Sequence, residues 1–102
     1  MVSADRWPFA EPRNCATFIT AQVLERLEPI LHAVHDENSE WQFIGSTDGT
    51  LENAKIIALH EAVELDSSVL QLADMPPGWH ALRHSPEEPW KREAMDYAEQ
   101  TI

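Results

Sequence analysis

Apolar positions along this chain fall into short runs set between prolines and acidic turns, and most of these runs have strand character. Cys15 to Thr20, reading Cys-Ala-Thr-Phe-Ile-Thr, is β-branched and aromatic and predicts a pleated, half-buried strand. Residues 21 to 28 allow a helical turn through Val23, Leu24 and Leu27, which Pro29 ends by forcing Glu28 toward extended geometry. Pro29 to His35 reads as a second strand, with Ile30, His32 and Val34 on one face and Leu31, Ala33 and His35 on the other. Asp36 to Glu40 has turn chemistry, because Asp, Asn and Ser bond their own backbone, and Trp41 to Ser46 resumes the strand pattern. The two strands are expected to form a hairpin, with Asp48-Gly49 as the next turn.

The second half is less uniform. Leu51, Ala54, Ala58, Leu59 and Ala62 fit helical spacing, whereas Lys55 to Leu59 fits a short buried strand; the strand is the preferred reading of residues 51 to 63. Asp66 is a credible N-cap for a short helix carrying Val69, Leu70, Leu72 and Ala73, which Met75-Pro76-Pro77-Gly78 ends. Trp79 to Arg83 predicts the last strand. Ser85-Pro86-Glu87-Glu88 has the form of a capping box, but Pro89 would lack the amide its fourth helical position needs. A C-terminal helix is therefore expected from Pro89, with Trp90, Ala94, Tyr97, Ala98 and Ile102 on one stripe. These elements describe an α+β domain over residues 14–102: a mostly antiparallel β-sheet, a short helix after Asp66 and a C-terminal helix. Residues 1–13 are expected to form an irregular arm, anchored by Trp7 and Phe9.

The chain has 102 residues, 43% of them apolar, and four tryptophans, which suits one domain with one core. Cys15 is its only cysteine, so neither an internal disulfide nor a cysteine zinc cluster is available, and a reducing cytoplasm fits. The first residues lack the basic start and apolar run of a signal peptide, and no segment approaches the ~18 apolar residues of a membrane helix. A cytoplasmic protein without membrane contact is the expectation.

Charge narrows the partners. Eighteen acids face seven basic residues, for a net charge of −11, and the scattered Lys and Arg argue against nucleic acid. Nine acids (Asp36, Glu37, Glu40, Asp48, Glu52, Glu61, Glu64, Asp66, Asp74) face Lys55 alone between residues 36 and 74. Such a window serves solubility as a solvated face, or it steers a basic partner, raising association rates by about 10- to 1000-fold.

Catalytic and metal templates fit poorly. On strands, His32 and His35 point to opposite faces, and His80 and His84 share a face about 13 Å apart, too far to hold one ion. Asp36-x-Asn38-x-Glu40 opens like a calcium loop, but Trp41 occupies the glycine position and Thr47 that of the bidentate glutamate. No serine lies in a glycine-flanked elbow, Cys15 has no cue for a paired base, and three glycines make no phosphate loop. Trp41 and Trp79 suit the core, Trp7 and Trp90 a sheet edge or a partner, and Arg83 a salt bridge to one of many acids.

The order of signals, an acidic turn into Trp41-Gln42-Phe43-Ile44-Gly45, then Ile57-x-Leu59-His60, Asp66-Ser67-Ser68-Val69 and Leu72 to Arg83, resembles a known family. This is a family of small bacterial proteins classed as a domain of unknown function, part of it catalogued among the immunity proteins of polymorphic toxin systems (immunity protein 33-like). The resemblance spans roughly residues 14 to 92. It implies a non-enzymatic α+β domain without cofactor, able to bind and neutralise a toxin, and it brings no catalytic residues. With the charge, it makes Asp36, Glu37, Glu40, Trp41, Asp48 and Trp79 the candidate contacts for a basic toxin. The alternatives are a housekeeping or regulatory domain whose acidity confers solubility, and an enzyme or metal protein built on His32, His35, His60 and nearby acids.

Overall fold

The computed structural model describes residues 7–47 and 50–95. Its elements run β1 (Ala16–Thr20), α1 (Ala21–Leu24), β2 (His32–His35), β3 (Trp41–Ile44), β4 (Ala54–Ala58), α2 (Leu59–Leu65), a 3-10 helix (Ser67–Leu72), β5 (Trp79–Leu82) and β6 (Lys91–Ala94). The six strands form one sheet in the order β4-β1-β3-β2-β5-β6. The sheet is mixed: β1 runs parallel to β3, while β1–β4, β2–β3, β2–β5 and β5–β6 are antiparallel.

The expected hairpin is present, with His35 opposite Trp41 and His32 opposite Ile44. Its turn is built by Asp36, whose Oδ1 accepts from the amides of Asn38 (2.9 Å) and Glu40 (3.0 Å), while Ser39 takes a left-handed φ of 67°. Residues 51 to 63 resolve as strand and then helix, so the strand reading holds only as far as Ala58. Ala54 to Ala58 pair with β1, and at Leu59 the chain turns into α2, whose Glu61 side chain accepts from the Ala58 amide at 2.8 Å. The acceptance of that otherwise orphaned amide starts the helix. Asp66 caps the 3-10 helix as expected, its Oδ1 accepting from Ser68 N at 3.0 Å.

The C-terminal helix is corrected over residues 91–94, which are strand. There Lys91, Arg92, Glu93 and Ala94 pair with Leu82, Ala81, His80 and Trp79. The physical reason is the free edge of β5: a ladder along it satisfies more backbone groups than a helical turn whose apolar stripe is held only by Trp90 and Ala94. Tyr97, Ala98 and Ile102 lie outside the described residues.

Strand alternation divides the sheet into two faces. Ile19, Phe43, Ala33, Ala81, Trp41 and Ile57 point to the face covered by α2 and the 3-10 helix, whose Leu59, Ala62, Val69 and Leu72 complete the core with Met75. Phe9 from the arm joins them, with its ring 5.3 Å from Trp41 in an edge-to-face contact, and Trp7 lies 5.1 Å from Phe9. Phe18, Gln42, Ile44, Val34, His32, His80 and Ile56 take the opposite face.

Candidate functional site

The β2–β3 turn presents two of the expected acids and withholds others. Glu37 and Glu40 are exposed, and among the described residues their side chains form no ion pair. Asp36 is spent on the turn itself. Asp48 lies outside the described residues.

Trp41 is corrected as a contact residue. It is 0% exposed, its ring stacks on His35 at 4.1 Å, and its indole N–H donates to Glu11 Oε1 at 3.1 Å. Glu11 also lies 3.3 Å from His35 Nε2, and His35 Nδ1 donates to the Met75 carbonyl at 2.7 Å. This chain of contacts ties the arm to the sheet beneath the acidic turn. Trp79 is half-buried against the same core, so only its rim reaches the surface. Cys15 is partly buried, and burial first, then the charges of Glu11 and Glu40, push its thiol up, away from nucleophilic use.

Part of the charge of the acidic window is met by basic partners, Arg83 and Arg92 from outside it and His60 from within. Arg83 is buried and reaches Asp66 at 2.5 Å, the Ile30 carbonyl at 2.8 Å and Ser68 Oγ at 3.0 Å. Its guanidinium also lies 4.1 Å over the Trp90 ring. Burial disfavours the Asp66 carboxylate, but the Ser68 hydrogen bonds and Arg83 outweigh it and hold Asp66 below the usual range. Arg92 meets Asp74 at 2.7 Å and lowers it likewise, and His60 meets Glu64 at 2.8 Å. The expected salt bridge from Arg83 to an acid is present, to Asp66, and it is buried as part of a clasp between the β5 end and the helical layer. Its flanking Leu82 and the distant Asp66 cap were the available signals.

One histidine expectation holds, and the structure adds a pairing across strands. His32 and His35 do point to opposite faces, but His32 meets His80 across β2 and β5, with Nε2 2.9 Å from Nδ1. The other His80 nitrogen lies 3.5 Å from Glu93, its partner on β6. Burial and then the neighbouring His80 lower the pKa of His32. His35 and His60 lie elsewhere, in the core and on α2, so the combination of His32, His35 and His60 is not assembled. Among the described residues no group of three His, Cys, Asp or Glu side chains converges on a point where a metal ion could sit.

On the same open face, Phe18, Ile56 and Leu51 are exposed. An apolar hollow of about 210 Å³ lies between β1, β3 and the segment before β4, and is lined in part by Phe18, Gln42, Ile44 and Leu51. The buried Thr20 hydroxyl, also in its wall, has no hydrogen-bond partner. Such a hollow is smaller than most ligand cavities, which run to roughly 300 Å³ and more. No helix among the described residues is long and apolar enough to cross a membrane. No family model, no curated protein and no solved structure matches this chain.

Proposed function

We propose that this protein is a small non-catalytic binding domain of the immunity type, acting in the cytoplasm on a basic protein toxin through the acidic β2–β3 turn. The observation that carries this reading is the contrast among the acids. Asp66, Asp74, Glu64 and Glu11 are engaged by Arg83, Arg92, His60 and His35, while Glu37 and Glu40 stand exposed on a turn braced from within by Asp36. A turn whose backbone is already braced presents its uncommitted carboxylates with little backbone ordering cost on binding. The resemblance of Trp41 to Gly45 and of Leu72 to Arg83 to the immunity-containing family supports the same reading.

Trp41 does not belong to the contact surface in this proposal. It holds the turn and the arm in place from below, and the contacts are Glu37, Glu40 and the exposed rim of Trp79.

The test is rescue. Cells expressing a basic toxin encoded beside this gene should survive when the wild-type protein is co-expressed, and survival should drop with Glu37→Lys/Glu40→Lys. Affinity of the purified pair should fall steeply as salt rises, because the attraction is screened over about 10 Å at 0.1 M. Equal rescue by the charge-reversed protein would sink the proposal.

A further inference from the structure

The open face of the sheet carries an arrangement of side chains that the proposed binding role does not use. His32 Nε2 and His80 Nδ1 converge to 2.9 Å from adjacent antiparallel strands, on a register that sets Val34 opposite His80 and His32 opposite Leu82. Behind His80, Glu93 stands 3.5 Å from Nε2 and is itself 3.4 Å from Lys91. We propose that His32 and His80 form a two-histidine site for a divalent transition-metal ion, with Glu93 as the carboxylate that orients His80.

Three features support it. Imidazole nitrogen suits zinc, copper and nickel, and two such ligands at ~2.0–2.1 Å in tetrahedral geometry stand about 3.3 Å apart. The two nitrogens must separate by a few tenths of an ångström, and each ring must turn so that its lone pair points about 35° off the line between them toward a shared tetrahedral ion, movements made by side-chain torsions. Next, a carboxylate on the far nitrogen of a ligating histidine is the usual outer partner, fixing the tautomer and raising ligand basicity. Glu93 beside Nε2 favours the His80 tautomer protonated there, leaving the Nδ1 lone pair directed at His32.

In the metal-free pair His32 then donates through Nε2. Binding a metal moves that proton to His32 Nδ1, so both inward nitrogens offer lone pairs and no net proton is released. Finally, both ligands sit on strands within one sheet rather than on loops, so the separation of their backbones is fixed by the ladder. The remaining coordination positions face outward and would take water, since the protein supplies two ligands here.

The test uses the full chain stripped of metal with a chelator and titrated with zinc(II), followed by calorimetry and by 15N imidazole NMR. One equivalent should bind, and the ring signals that move should be those of two histidines, His32 and His80. His32→Gln and His80→Gln should each abolish binding, and Glu93→Gln should weaken it by about 10- to 100-fold. His60→Gln and His84→Gln, whose rings face Glu64 and Glu88 within single segments, should leave it unchanged. Absence of saturable binding overturns the proposal, as does movement of the His60 or His84 signals in place of the pair. Unchanged affinity in His32→Gln and His80→Gln also overturns it. The NMR readout on the wild-type protein decides the matter even where a variant folds poorly.

Discussion

The two faces of the sheet differ in what their polar groups do. On the covered face, polar side chains serve the fold: His35 and Glu11 secure the arm, and Arg83 joins Asp66, Ser68 and the Ile30 carbonyl. On the open face, the His32–His80–Glu93 row shares the sheet surface with exposed Phe18 and Ile56, which lie beyond β3, with no helix laid over it among the described residues. Burial makes the first set structural, since an unpaired polar group there is costly; the second set is free to meet something from outside.

This contrast can be broken by mutation. Trp41→Ala should have the largest effect, about 3–5 kcal/mol of stability, because it empties a fully buried site and leaves Glu11 without its indole donor. Denaturant unfolding followed by circular dichroism measures it. Arg83→Ala should cost about 3 kcal/mol, the lower end for breaking a buried pair, since Asp66 keeps some solvent contact. Arg83→Lys should not restore it, because an ammonium cannot bond Ile30, Ser68 and Asp66 together while stacking on Trp90.

Acidification should reveal the open face next. The folded state holds His32 below its ordinary 6.5, so the unfolded chain takes up more protons as pH falls through that value, and stability declines. Asp66 acts in the same direction at lower pH. Its carboxyl is held below 3.8, so its contribution is present above that value and is lost as the group protonates. Thermal melts at pH 7 and pH 5.5 should therefore differ, and the difference should shrink in His32→Gln. The smallest effect belongs to Ile56→Ser, within about 0.5 kcal/mol of wild type. A loss comparable to that of Trp41→Ala would mean that the open face is covered after all.

Much of the local structure is legible from residue types. The β-branched run at Ala16–Thr20, the Asp36 turn, the aromatic strand from Trp41 and the Asp66 cap all follow from short-range rules, because each depends on neighbours within a few residues. Lys91 to Ala94 shows the limit of such rules. Its spacing suits a helix, but its outcome depended on an open β5 edge, which no window of sequence contains. The same holds for residues 51 to 63, where helical and strand periods are both present and the strand ends with the last pair of the ladder, Ala58 opposite Ala16.

What the sequence by itself determined is the supply of elements and charges: short strands, small helices, one cysteine, an acidic turn and no familiar catalytic motif. The tertiary structure decided the partners. It laid β1 parallel to β3, sent Arg83 into the core, buried Trp41 and set His32 against His80 forty-eight residues away. The reason is that propensity and turn chemistry act over a few bonds, whereas pairing across a sheet depends on which free edges and apolar faces remain after the rest of the chain has packed.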